Sequence, residues 1–119
     1  MELPEIITRL PEVELPIPST SVRTSLLQSE HGQLVFFQVL KDVELPPHSH
    51  KGQWGTVLEG MVELTVSGST RSHGAGTSYY IPAGAIHSAK LAAGTKIIEF
   101  FEESNRYKQR CPQGGGPDA

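Results

Sequence analysis

Several features that mark common classes of protein are scarce in this sequence. One cysteine, Cys111, occurs among 119 residues, so the chain can form no internal disulfide, and we expect an exposed, inert thiol. Ten lysines and arginines against 13 acidic residues give a net charge of −3, and no basic cluster is long enough to follow a phosphate backbone. We therefore expect no nucleic-acid partner.

Long hydrophobic runs are also missing. No stretch approaches the roughly 18 apolar residues of a membrane-spanning helix. The first residues, MELPEIITRLPEVE, carry acids where a secretory leader carries basic residues. We therefore expect no membrane association and a cytoplasmic protein. The 12 glycines and 9 prolines exceed the average but stay below the content of disordered chains, which indicates one globular domain with many turns.

Short β-rich runs separated by turn residues begin at Val22 and recur about every 8 to 12 residues, which is typical of a sandwich or barrel. We predict a Pro-rich extended arm over residues 1–20, a barrel over 21–103, a short helix over 104–110 and a disordered Gly-rich tail over 111–119. Gln33 to Leu40 and Thr95 to Phe101 carry apolar residues at both odd and even positions, which predicts strands covered on both faces. A chain this short cannot cover the outer faces of both strands, so we expect a homodimer, with the arm packed on the barrel or on the partner.

Three of the five histidines lie in two strand-associated segments. His48 and His50 alternate in PPHSHKGQ, and side chains two apart in a strand share one face. Gln53 follows closely, and His87 in IPAGAIHSAK could complete the set from a neighbouring strand. The pattern indicates a metal site, although a His-x-His pair alone is a weak signal and is more often two surface histidines. The other two, His31 and His73, lie in turn and loop segments, and we interpret them as solvated.

The residues around these histidines resemble the two motifs of the cupin family. The first, G(x)5HxH(x)3,4E(x)6G, matches at His48, His50, Gln53 and Gly60, and the second, G(x)5PxG(x)2H(x)3N, matches at Gly76, Pro82, Gly84 and His87. Fifteen residues between Gly60 and Gly76 are similar to the short prokaryotic form. This chain departs from the family in four ways. Gln53 replaces the Glu, and only two residues separate it from His50 where the family motif has three or four. The leading Gly is absent, and Leu91 takes the place of the Asn.

The resemblance implies an all-β fold, a cupin-type double-stranded β-helix (jelly-roll) barrel with a short C-terminal helix. It also implies one divalent transition metal ion, zinc, nickel, iron or manganese, with His48, His50, Gln53 and His87 as ligands. A Gln in this position is similar to a subgroup of small cupins that includes a pectin-degradation enzyme opening unsaturated uronate rings. Four aromatic residues near the motif strands are candidates to line the pocket: Phe36, Trp54, Tyr79 and Tyr80.

Three functions stay open at this point. The first is a metal-dependent enzyme of isomerase or lyase type that acts on a small anionic metabolite, such as a sugar acid or oxo acid. The second is a small-ligand binding or sensing module without catalysis, and the third is a non-haem iron dioxygenase. We favour the first, because three neutral imidazoles and the neutral amide of Gln53 leave the charge of a divalent ion uncompensated, which suits Lewis-acid chemistry.

Overall fold

The computed structural model describes residues 1–110 and shows an almost entirely β structure. The elements within this range are α1 Glu5–Thr8, β1 Val22–Ser29, β2 Gly32–Val39, β3 Val43–His48, β4 Gln53–Glu59, β5 Met61–Val66, β6 Ser69–Gly74, β7 Ser78–Ile81, β8 His87–Leu91 and β9 Lys96–Phe101. Over the described range, no helix has the length and apolar character needed to cross a membrane.

The nine strands form two antiparallel sheets that face each other. The larger sheet has the order β1-β2-β9-β4-β7, and the smaller has the order β3-β8-β5-β6. Strands that are distant in sequence are neighbours in both sheets, because the chain passes back and forth between the two layers. This is the jelly-roll arrangement, and the prediction of an all-β barrel is confirmed.

The core lies between the sheets and follows the alternation of each strand. In β9, Ile97 and Phe101 point inward and are buried, whereas Ile98 and Phe100 point outward and are half-buried. The same holds in β2, where Val35 is buried and its outward neighbours are half-buried. The outer faces of β2 and β9 are therefore apolar but not fully covered within residues 1–110.

The segments before and after the barrel pair with each other. Val13, fully buried, forms a bridge with Gln109. The Glu14 N–H donates to the Lys108 carbonyl at 2.8 Å, and the Arg110 N–H donates to a carbonyl of the arm at 2.7 Å. Apart from α1 and the bridge at Val13, the arm consists of turns, bends and irregular chain. The predicted helix over 104–110 is wrong, because backbone groups that a helix would pair internally are bonded to the arm. The tail over 111–119, with Cys111, lies outside the described residues.

Candidate metal centre

Three histidine side chains meet at the ends of two paired strands. His48 ends β3, His87 begins β8, and the two residues are directly opposite in the antiparallel register. The ring centroids are 4.2 Å apart for His48 and His87 and 4.9 Å apart for His50 and His87. Each ring offers a nitrogen that lies within 4.8 Å of the other two. The structure thus brings the three predicted histidines together, and they could hold a metal ion.

Two glycines position these histidines through the loops that carry them. Gly84 has a φ of +80°, which favours glycine, and its N–H donates to the His50 carbonyl at 2.8 Å. This bond ties the turn before His87 to the loop that holds His50. Gly52 lies between His50 and Gln53, and a Cβ there would come 2.2 Å from Glu102 Oε1. A side chain at position 52 would therefore require the Glu102 carboxylate to move.

The hydrogen bonds of the three rings leave one nitrogen of each free for a metal. Nδ1 of His48 lies 2.7 Å from the carbonyl oxygen of Pro46, and Nδ1 of His50 lies 2.7 Å from that of Lys51. Nδ1 of His87 lies 3.0 Å from a carbonyl oxygen in the preceding turn. A carbonyl only accepts, so each Nδ1 carries the proton and each Nε2 presents a lone pair. Metal-binding histidines are commonly oriented in this way.

Burial favours the neutral form of the His50 and His87 imidazoles. It lowers the pKa of both His50 and His87 below the ordinary value, and the positive charge of Arg106 lowers both further. Because a metal ion binds the neutral imidazole, this shift favours binding near neutral pH.

Gln53 belongs to the opposite sheet, and its side chain enters the same cavity. Among the described residues, the buried side-chain atoms without a hydrogen-bond partner include Gln53 Oε1, His50 Nε2 and His87 Nε2. Two imidazole nitrogens and an amide oxygen are the donors that a borderline transition metal accepts. The residues present therefore fit the implied ion.

A buried carboxyl group at this site was missed by the sequence analysis. Glu99 on β9 is 9% exposed, and its Oε2 accepts hydrogen bonds from Gln53 Nε2 at 2.6 Å and from the Tyr79 hydroxyl at 2.5 Å. Burial raises the pKa of Glu99, although these two hydrogen bonds and the charge of Arg106 oppose the rise. The alternation of the strand could have indicated its position, since Glu99 shares the inward face of β9 with Ile97 and Phe101.

The cavity around the histidines is small and has mainly apolar walls. Its volume is about 70 Å³, and both sheets and the arm contribute to its lining. The polar side chains in the lining are His48, His50, Gln53, Tyr79, His87, Glu99 and Tyr107.

Only one of the four aromatic candidates lines this cavity. Tyr79 does, whereas the predictions for Phe36, Trp54 and Tyr80 are wrong. These three occupy the opposite parity of β2, β4 and β7, so their side chains lie on the outer face of the larger sheet, where Trp54 is 42% and Tyr80 57% exposed.

The two remaining histidines lie apart from the cluster. His31 is exposed in the turn between β1 and β2, as predicted. His73 is half-buried within β6 rather than in a loop, and its ring centroid lies 5.1 Å from that of Tyr79.

The chain is therefore a small jelly-roll barrel in which three histidine side chains line the cavity and could hold a metal ion. A family model described as the cupin domain matches residues 35–102. The chain belongs to the cupin family, and the resemblance of the two motifs is confirmed.

Solved structures agree with this assignment of the fold. An RmlC-like cupin from Shewanella frigidimarina is 23% identical with a TM-score of 0.70, covering 82% of this chain and 88% of that one. KdgF from Halomonas sp. is 18% identical with a TM-score of 0.66, covering 79% and 88%. Bacillus subtilis oxalate decarboxylase, described with Mn(II) centres, is 18% identical with a TM-score of 0.69, covering 87% of this chain but 31% of that one. A comparison with curated proteins found no match.

Proposed function

We propose that this chain is a metal-dependent enzyme that performs isomerase or lyase chemistry on a small anionic metabolite, such as a sugar acid or oxo acid. The observation that carries the proposal is the set of three buried donor atoms without a partner, His50 Nε2, His87 Nε2 and Gln53 Oε1. Unpaired buried polar atoms cost free energy, and one ion satisfies all three. With His48 as the remaining ligand, the set suits zinc, nickel, iron or manganese.

When bound, the ion would polarise a carbonyl or hydroxyl oxygen and lower the pKa of a bound water. The chain supplies the rest. All four proposed ligands are neutral, so no ligand cancels the charge that attracts an anion. The carboxyl group of Glu99 lies behind Gln53 and accepts a hydrogen bond from its amide, so it is linked to the proposed ligands through Gln53. Arg106 adds positive potential, since its charge acts on His50, His87 and Glu99.

The size of the ligand follows from the cavity. About 70 Å³ corresponds to the space of a few water molecules, so the part of the ligand that reaches the ion is small. The apolar walls limit water around it, which strengthens electrostatic interactions inside the cavity. Oxalate decarboxylase, by its name, acts on a small dicarboxylate, a ligand of the proposed class.

A small-ligand binding protein without catalysis is the second candidate. It is favoured by the mainly apolar lining of the cavity, which provides few groups that could transfer a proton. Both candidates require a small anion near the ion, and turnover separates them.

The test is a screen of sugar acids and oxo acids followed by nuclear magnetic resonance of the ligand, with manganese, iron, nickel or zinc added to the metal-free protein. The proposal expects conversion of at least one acid, and loss of that conversion in His87→Ala. Saturable binding without conversion would support the second candidate. Oxygen uptake with a small thiol or enol substrate would overturn the proposal in favour of a dioxygenase.

We also propose that the chain acts as a cytoplasmic homodimer. The single cysteine is in keeping with that location. What supports the dimer is an apolar row on the outer face of the larger sheet, which the register joins across five neighbouring strands: Leu27, Leu34, Phe100, Trp54 and Tyr80. Apolar patches of this kind mark protein interfaces, and a second copy of the same face could cover the row.

A further inference from the structure

Glu99 and Tyr79 meet across a strand that has no side chain between them. Glu99 on β9 and Tyr79 on β7 both pair with Gly55 of the intervening β4. A Cβ at Gly55 would come 2.6 Å from Cζ of Tyr79, so only glycine leaves room for the Tyr79 hydroxyl to reach the Glu99 carboxyl group.

The same carboxyl oxygen fixes the amide of Gln53. Oε2 of Glu99 accepts from Gln53 Nε2 at 2.6 Å while it accepts from Tyr79. A carboxylate accepts but does not donate, so the nitrogen end of the amide must face Glu99. The oxygen end, Gln53 Oε1, is then left buried and without a partner.

We infer that Glu99, held by Tyr79 over Gly55, is a positioning residue that turns Gln53 Oε1 toward the metal ion, and that Glu99 is the reason for an amide at position 53. A carboxylate at that position would face the carboxyl group of Glu99 without a donor between them. This inference rests on the proposed metal centre, since it assigns the role of Glu99 through one of its ligands.

The test is a double-mutant cycle on cobalt affinity, with Gln53→Ala, Glu99→Leu and the double variant. Cobalt binding is followed by its visible spectrum, which also reports the number of ligands. Each single variant should bind about 10- to 100-fold more weakly, as is typical for loss of a ligand or its support. The double variant should match Gln53→Ala within about twofold, because Glu99 has no other route to the ion.

Two further variants separate positioning from folding and from charge. Glu99→Gln keeps an oxygen that accepts from Gln53, so its cobalt affinity should stay within about twofold of that of the unaltered chain. Tyr79→Phe leaves the carboxyl group in place and should weaken cobalt binding only when Gln53 is present. Glu63→Leu, on the outer face of the smaller sheet and half-exposed, is the matched control and should change nothing.

Several results would overturn the inference while leaving the metal centre in place. These are full cobalt affinity in Glu99→Leu, a further loss when Glu99→Leu is added to Gln53→Ala, or equal losses in Glu99→Gln and Glu99→Leu. If the unaltered chain binds no cobalt, nickel, zinc, iron or manganese, the proposed function and this inference fall together.

Discussion

Exchanging the amide and carboxyl groups of Gln53 and Glu99 tests whether the two side chains are a matched pair. In Gln53→Glu, the 2.6 Å contact between Nε2 and Oε2 becomes a contact between two carboxyl groups. The charge-assisted hydrogen bond, worth roughly 1.5–3 kcal/mol, is lost. Two full charges about 4 Å apart would repel by about 4 kcal/mol at an effective dielectric constant of 20. The pair can avoid this repulsion if one of the two carboxyl groups takes up a proton. Protonating a carboxyl group at pH 7 costs about 4 kcal/mol, so the repulsion cannot cost more than that.

We therefore expect metal-free Gln53→Glu to lose about 3–4 kcal/mol of unfolding free energy at pH 7, or roughly 10–20 °C in Tm. The loss should shrink toward about pH 5. Burial already raises the pKa of Glu99, so the folded pair binds more protons than the unfolded chain, and its stability rises as pH falls. In Gln53→Glu/Glu99→Gln the amide donates in the reverse direction, and most of the loss should be recovered.

The assay is thermal and urea unfolding of the metal-free variants, with Gln33→Glu as the matched control. Gln33 is also buried, but its amide donates to Gln28 and to the carbonyl of Tyr107. Adding Glu99→Gln should therefore not rescue Gln33→Glu. A loss below about 1 kcal/mol in Gln53→Glu, or equal rescue of both glutamate variants, would refute the pairing.

Three further predictions concern pH, assembly and ligand binding. In metal-free protein the unfolding free energy should fall as pH drops below about 6.5. The reason is that burial lowers the pKa of His50, so the folded state binds fewer protons than the unfolded chain. Urea unfolding measured across this pH range should show a smaller decrease of the unfolding free energy in His50→Gln. Light scattering should give twice the 12.9 kDa of one chain. Trp54→Arg should shift that mass to a monomer and Ser72→Arg, on an exposed position of β6, should not; a monomer in the unaltered chain would contradict the dimer. Finally, Gln53→Glu with full metal occupancy should bind carboxylate ligands more weakly, as measured by calorimetry, and should convert substrate more slowly in the substrate assay. Equal or tighter carboxylate binding in this variant would count against Lewis-acid chemistry.

The histidine cluster could be predicted from the sequence because its determinants are local. His48 ends β3, His50 follows two residues later in the next loop, and the turn before His87 places the third histidine, so each candidate ligand is set within a short segment. The register between β3 and β8 then needs only to bring the two segments side by side. The all-β fold was predictable for a related reason, since turn residues at regular spacing define short strands.

The carboxyl group behind Gln53 could not be predicted in the same way. Glu99 is 46 positions away from Gln53 in sequence, and their contact depends on the pairing of β4 with β9. The aromatic side chains near the motifs were assigned to the cavity without regard to the alternation of each strand. Tyr79 and Tyr80, for example, are adjacent in one strand and face opposite sides of the sheet. The helix over 104–110 failed because tertiary pairing with the arm overrides a weak local preference.

The most direct test of the metal centre is elemental analysis of the protein purified without added metal, beside a variant with both His48→Ala and His50→Ala. We expect about one divalent transition metal ion per chain in the unaltered protein and none in the double variant, because two of the four proposed ligands are removed. Circular dichroism should show that both proteins keep the same β content. A folded double variant that still copurifies with stoichiometric metal would contradict the assignment.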